Sequence, residues 1–446
     1  MIDFSKHFEK IDFKSWQKLV QESAKSENEL NFHNLEGVDL GIDFHPTFEI
    51  NLSTYPKTQD LLKEDEIREL GEDLFQIKEM KAKASVFLET IHNAGASIVQ
   101  EIHYALECLV LANDKSIKHL NFIIAVDSLY FNNIAKLRAL RFLIEALNNQ
   151  YNLIDSFELI GINSLREQTL YDPWSNMLRN TFSTMAMLNG GADKIVTFSY
   201  NKLQSESNEF DLGRQHADNI YYVLTCESFL GKVKDPAKGS EVIDALTYEY
   251  ASLSLNKFKE KQEKGGLFND LESFSKDVLE VANQREQHIL TRSKIISGIN
   301  SFTQVDDLLE NYPSNHLAKK DFPLRRPSES LERLRFELKD KELKLGLYTH
   351  ENQKQTLQRA NFAKDFIEVS GKDVLTLEDI SQINDSFDLI LLAASDDDYE
   401  ELISKINFKD MNSLYIVSKK EIPGAKSLFI GKNIMDVLAP LNKEQK

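Results

Sequence analysis

The side chains best suited to chemistry are His92, His103, His216 and His350, the thiols of Cys108 and Cys226, and the acidic triplet Asp396-Asp397-Asp398. Histidine and cysteine are the usual ligands of zinc, and a histidine poised near neutral pH is the usual general base. His92, His103 and His216 fall on different predicted elements and lack ligand spacing, so they read as scattered core or surface residues and no metal site is expected. Two cysteines cannot build a disulfide framework or a cysteine-based zinc site. Cys108 sits in a mostly apolar helical run and reads as a buried thiol. The triplet follows an apolar strand, at the end where open parallel sheets bind ligands. A solvated acidic turn accounts for it more simply than a divalent-ion corner. No Ser-His-Asp arrangement, phosphate loop or GxGxxG is visible, so hydrolase and nucleotide-dependent readings lack support.

Bulk composition narrows the field. The chain has 446 residues, 41% of them hydrophobic and 10% aromatic, enough for a real core and for two or three domains. A net charge of −18 repels phosphate backbones and argues against nucleic acid as a partner. The start, MIDFSKHFEK, lacks the hydrophobic region of a signal peptide. No apolar run approaches the ~20 residues needed to span a bilayer. The expectation is a cytoplasmic protein without a membrane partner.

The elements that must position these groups alternate. Residues 1–46 read as a partner-docking arm, in which Phe4, Phe8, Phe13, Trp16 and Val20 share one helical face. So many aromatics on a short arm suit docking on another surface, or packing back on the same chain. From 47 to 299, short β-rich runs at Phe48–Leu52, Ala84–Leu88, Leu120–Val126, Phe157–Gly161 and Lys194–Phe198 are separated by helical runs. Ser97–Ala112 and Ser128–Asn149 carry apolar residues at helical spacing. In DPWSNMLRNTFSTMAMLNGG, Asp172 is a candidate N-cap and Pro173 stands at the first helical position. Met177, Phe182, Met185 and Leu188 then form an apolar stripe, and Gly190-Gly191 end the helix. Such alternation implies parallel strands with helical crossovers. A closed eight-stranded barrel takes about 250 residues. Too few clear strands are present, so the barrel is expected to be abbreviated. The stretch from Ser240 to Ile299 reads as mostly helical. Residues 300–340, with Pro313, Pro323 and Pro327, read as a linker. The end, 341–446, reads as an open doubly wound sheet of flavodoxin type, with strands at Lys344–Tyr348, Leu389–Ala393, Leu414–Val417 and Ser427–Ile430.

Several blocks, in collinear order, resemble the methylmalonyl-CoA mutase family. They are LNFHNLEGVDL (Leu30–Leu40), NAGASIVQEIHYAL (Asn93–Leu106), FIIAVDSLYFNNIAKLRALRFL (Phe122–Leu143), DPWSNMLRN, NGGADKIVTFSYN and VKDPAKGSEVIDALT (Val233–Thr247). RANFAKDFIEVSG, Arg359–Gly371, resembles a helix of the family's small subunits. The resemblance implies an abbreviated or degenerate (β/α)8 barrel followed by a flavodoxin-like, cobalamin-binding-type domain. It also implies a reaction, the interconversion of methylmalonyl-CoA and succinyl-CoA with adenosylcobalamin, and, in many bacteria, a large catalytic chain paired with a smaller homologous one.

Departures from the family pattern point to the smaller chain. Catalytic chains carry a tyrosine and a histidine before the glycine-led helix, where this chain has Glu89 and Thr90. A further family histidine is replaced by Val196. A radical rearrangement needs the substrate carbonyl held by a neutral donor in a dry pocket, which a carboxylate opposes and a valine cannot supply. Cofactor-binding members have Asp-x-His-x-x-Gly after the first strand of the last domain, the aspartate orienting the cobalt-ligating histidine. His350 matches the ligand, but Tyr348 and Gln353 stand at the aspartate and glycine positions. The resemblance therefore implies a non-catalytic small (beta) subunit that stabilises the large catalytic mutase subunit as a heterodimer. Adenosylcobalamin would be bound by the partner subunit, with none expected on this chain. The rival readings are a self-sufficient cobalamin-dependent isomerase with an unusual ligand set, and a free-standing interaction or chaperone protein for mutases.

Overall fold

The computed structural model describes residues 31–33, 35–36, 39–41, 52, 55–56, 58–70, 72–76, 82–204, 210–313, 322–351 and 354–442. Phe4, Phe8, Phe13 and Trp16, most of the expected strand at Phe48–Leu52, and Gln353 lie outside the described residues. A short antiparallel pair, β1 (Asn31–His33) and β2 (Asp39–Gly41), comes first.

The first large unit is built on a parallel sheet. Its strands are β3 (Asp60–Leu61), β4 (Glu72–Asp73), β5 (Lys83–Phe87), β6 (His119–Val126), β7 (Ser156–Asn163) and β8 (Lys194–Val196), in spatial order β3-β8-β7-β6-β5-β4. Every pairing is parallel. The central strand β6, HLNFIIAV, is a near-continuous apolar run, as a parallel strand covered on both faces must be. The outer strands β3 and β4 are two residues long, and among the described residues they do not pair with each other.

Helices α1 (Leu88–Ala94), α2 (Ile98–Asp114), α3 (Tyr130–Tyr151) and α4 (Pro173–Gly190) connect the strands, followed by α5 (Phe210–Tyr222), α6 (Glu241–Glu263) and α7 (Leu271–Leu290). Ser97 caps α2: its hydroxyl accepts from the Gln100 amide while the Gln100 side chain accepts from the Ser97 amide. Leu120, Phe122, Ile124 and Val126 alternate toward the helix layer, and Ile123 and Ala125 toward the opposite face.

Helix α4 departs from expectation. It starts after Asp172 and stops at Gly191 in the left-handed region, as predicted, but Asp172 itself has φ 49 and its side chain does not cap the helix. The buried face is Asn176, Asn180, Ser183, Thr184, Met187 and Leu188; of the predicted stripe Leu188 is buried, Met177 and Met185 are half-buried, and Phe182 is exposed. The asparagines face inward because they satisfy chain ends that the sheet leaves open. Asn176 Nδ2 donates to Thr169 O and Tyr200 O, and Asn180 Nδ2 to Phe198 O.

The second unit begins within the stretch read as linker. Helix α8 (Glu329–Leu338) lies there and buries Leu331, Leu334 and Leu338. Then come β9 (Leu345–Thr349), α9 (Lys354–Glu368), β10 (Leu375–Leu377), β11 (Leu389–Ala393), α10 (Tyr399–Lys405), β12 (Leu414–Ile416), β13 (Lys426–Ser427) and α11 (Ile434–Leu438). The parallel order β10-β9-β11-β12-β13 is 2-1-3-4-5 within the unit, the flavodoxin-like order. Strand β10 escapes the sequence reading because it is short and two of its three residues are exposed.

The two units share one apolar core. Leu170, Tyr171, Leu203 and Ile289 from the first pack in the same cluster as Leu331, Leu334, Leu347 and Phe366 from the second. The Leu170 amide donates to Glu332 Oε1 at 2.9 Å, and the Arg335 guanidinium stacks 4.1 Å above the Tyr171 ring.

Gly95, at φ +117 between α1 and α2, lies against α7: a Cβ there would sit 2.4 Å from Ala282 Cβ. Gly239, at φ +85, has nothing within 4 Å of such a Cβ. Denaturant unfolding should show Gly95→Ala losing about 2–4 kcal/mol, strain plus overpacking, and Gly239→Ala about 1 kcal/mol, strain alone.

Candidate functional site

Parallel α/β sheets present their sites at the carboxyl ends of the strands. On the sheet face turned away from the helices, Ile123, Ala125, Ile160, Ile162, Val196 and Phe198 form an apolar cluster. Leu70 is buried in it, and Leu62 and Ile67 pack against it, all carried by the turn that follows β3. Val196 is 1% exposed and ends β8 inside this cluster. Glu89 and Thr90 open α1 at the end of β5, half-buried, with the Thr90 hydroxyl donating to Glu89 Oε1 at 3.3 Å. The three predicted positions thus share the carboxyl-end side of the sheet.

Beside the cluster lies a network of buried charge. Glu101 Oε1 accepts from His92 Nδ1 at 2.7 Å, and Glu101 Oε2 from Lys136 Nζ at 3.0 Å. Lys136 also donates to Ala125 O at 2.6 Å, and Ser164 Oγ lies 2.8 Å from His92 Nε2. With Nδ1 donating to the carboxylate, Nε2 is the acceptor and the ring is neutral. Burial, together with the Arg166 charge, holds the His92 pKa down at about 4. Burial raises the Glu101 pKa, but Lys136 and His92 outweigh it and hold the pKa at about 2. Arg166 pairs with Asp127 at 2.9 Å and donates to His92 O and Ala96 O. Asp127 is likewise kept far below the carboxylate range, because Arg166, His92 and Lys136 overcome its burial. Glu36 pairs with Arg285 at 2.7 Å and accepts from the Ile98 amide at the start of α2.

This network was not picked out from the sequence, and the only hint of it was a lysine and two arginines (Lys136, Arg138, Arg141) on a helix otherwise read as apolar. His103 lies 3.4 Å from Glu107, and His216 lies beside the Tyr200 ring, so the three histidines do not converge. Among the described residues no cluster of histidine, cysteine or acid is arranged to hold a metal ion, and no helix is long and apolar enough to cross a membrane. Cys108 is fully buried, and burial raises its pKa, while Cys226 is exposed.

A cleft of about 320 Å³ opens past Asp127 and Arg166, between α4 and the end of α7. Glu167, Arg179, Phe182 and Lys294 are among its lining residues. Glu167 accepts from the Ser128 amide and hydroxyl, and burial together with the Asp127 charge lifts its pKa to about 7.

In the second unit, His350 follows β9, half-buried, and its amide donates to Ala393 O. Tyr348 Oη lies 3.2 Å from His350 Nδ1. Asp396 pairs with Arg359 at 2.8 Å and accepts from Ser418 Oγ, and Asp398 accepts from Ser395 Oγ. The acidic triplet is thus an internally bonded turn.

Fold and site together describe an α/β protein of two parallel sheets, with the strand ends of the first closed by apolar side chains and buried ion pairs. Its sequence matches the methylmalonyl-CoA mutase family profile over residues 74–386. The chain belongs to that family. It is 26% identical over 347 residues to the methylmalonyl-CoA mutase small subunit of Porphyromonas gingivalis, covering 70% of this chain and 56% of that one. It is 29% identical over 231 residues to the small subunit of Propionibacterium freudenreichii subsp. shermanii, covering 48% and 36%. It is 28% identical over 250 residues to the methylmalonyl-CoA mutase of Rhizobium meliloti, covering 51% and 34%. The matches thus span from a third to just over half the length of these relatives.

The network sets a pH response. An unfolded histidine takes up its proton as pH falls through 6.5, whereas folded His92 does so only near 4. Between those values the unfolded chain binds more protons, so stability falls as pH falls. Glu101 extends the decline from 4.5 to about 2. Glu167, lifted to about 7, takes up its proton first in the folded chain and offsets that fall between pH 7 and 4.5, so the His92 contribution is read as a difference: the urea midpoint of His92→Gln should rise relative to the parent's as pH drops from 7 to 4.5, with the decline below 4.5 left in place.

Proposed function

We propose that this chain is the non-catalytic small subunit of an adenosylcobalamin-dependent methylmalonyl-CoA mutase. It pairs with a large subunit and stabilises it while that subunit interconverts methylmalonyl-CoA and succinyl-CoA. The observation that carries the reading is the closed apolar cluster around Val196. Where the family resemblance calls for a donor to the reacting carbonyl, this chain packs Val196 against Ile162, Phe198 and Leu70. Glu89 and Thr90, at the other substituted positions, interact with each other. A carboxylate opposes the neutral donor that the reaction needs, and the Thr90 hydroxyl is short and donates to that carboxylate. The names of similar small-subunit proteins support the pairing.

The donor set after β9 does not fit cobalt ligation of the family type. The group behind His350 is the Tyr348 phenol, which brings no charge to raise the basicity of the ring. In this reading the cofactor belongs to the partner. Residues 1–46 are the docking arm, 47–299 an abbreviated barrel, 300–340 a connection that ends in the packed helix α8, and 341–446 a degenerate cobalamin-type domain, and the protein works in the cytoplasm.

Co-expression with a large mutase chain should yield a heterodimer on size exclusion, with a higher thermal midpoint for the large chain than alone. The isolated chain should leave the absorption spectrum of added adenosylcobalamin unchanged. Turnover of methylmalonyl-CoA by the isolated chain would falsify the reading.

A further inference from the structure

Helix α4 exposes three large apolar side chains along one face. Trp174, Leu178 and Phe182, spaced four residues apart, are 53%, 65% and 54% exposed. Leu178 and Phe182 form one wall of the cleft described above, and Ile295, 46% exposed, also lines it. Exposed apolar residues are common singly, but a row of three along one helix beside a cleft is a patch of the kind that proteins dock on.

Charge says what the occupant must bring. Arg166 and Arg285 are matched by Asp127 and Glu36. Arg179 donates to neutral oxygens, those of Thr169, Asn176 and Ser297, and among the described residues it has no ion pair. Lys294, exposed on the cleft edge, also has none among the described residues. Glu167, the remaining acid of the lining, is held near neutrality. A chain of net charge −18 thus lines one apolar-walled cleft with four cations, Arg166, Arg179, Arg285 and Lys294, against two acids, Asp127 and Glu167.

We propose that the exposed face of α4 and this cleft are the docking surface for the large-subunit partner. The partner lays an apolar segment over Trp174, Leu178 and Phe182, and a carboxylate of that segment reaches Arg179 and Lys294. Trp174 decides between a protein and a small acid as occupant. It does not line the cleft, so a small molecule there would leave it in water, whereas a protein segment covers both. The proposal rests on the small-subunit reading.

Binding of the full-length chain to the large subunit, measured by calorimetry and size exclusion, tests it. Leu178→Asp, Phe182→Glu and Lys294→Glu should each weaken the complex about tenfold or more, the last most strongly at low salt. All three side chains are exposed, so circular dichroism and urea midpoints should match the parent. Phe229→Glu, at an equally exposed aromatic elsewhere, should leave binding intact. If the parent binds and the three variants bind equally well, the surface is wrong and the subunit reading stands. If the parent does not bind, the subunit reading itself fails. If Phe182→Glu instead dissolves a dimer of the isolated chain, the face belongs to a second copy and the proposal is overturned. Should either α4 variant fold poorly, Lys294→Glu alone decides, because its side chain is exposed and lies outside α4.

Discussion

Three cations buried along one helix set the terms for the first unit. Lys136, Arg138 and Arg141 on α3 are each 1% exposed or less. A buried charge without a partner costs several kcal/mol, so each must be met by an acid brought from elsewhere in the chain. Lys136 takes Glu101 from α2, Arg138 takes Asp235 and Asp244, and Arg141 takes Asp193 at the turn after α4. Helices, loop and sheet are thereby fixed around α3 in one register. Asp235 is held at φ 44, a conformation its contact with Arg138 helps to maintain.

Around that frame the strand ends are closed. The turn after β3 contributes Leu62, Ile67 and Leu70 to the sheet face that holds Val196. On the helix side, Asn163, Asn176 and Asn180 complete the hydrogen bonding where β7 and β8 end. These contacts build a stable scaffold and leave little polar reach at the position where a reacting group would sit.

Much of the fold was legible because its signals are local. β6 is a long apolar run, α2 has its Ser97–Gln100 box, and the glycine turn after α4 needs φ +80 at Gly191. Periodicity held on α4 only at its end, where Leu188 is buried and Met185 packs on the core; earlier, hydrogen-bonding demand placed asparagines inside and left Phe182 outside, and hydrophobicity alone cannot register that demand. β10 and the cross-unit role of α8 were also missed, since each depends on partners distant in sequence. At the site, the substituted positions could be read one by one. The ion pairs that surround them, such as His92–Glu101 and Arg285–Glu36, join residues whose meeting only the tertiary fold dictates.

The core shared by the two units has a mechanical meaning. Tyr171 is sandwiched under Arg335, Leu170 is tied to Glu332, and Arg326 reaches from the connection to both Glu332 and Gln168. Swinging one sheet away from the other would tear open packed side chains and strand buried charges together. The molecule is therefore stiff across the joint between its two sheets, and whatever binds it meets a ruler of fixed length and angle.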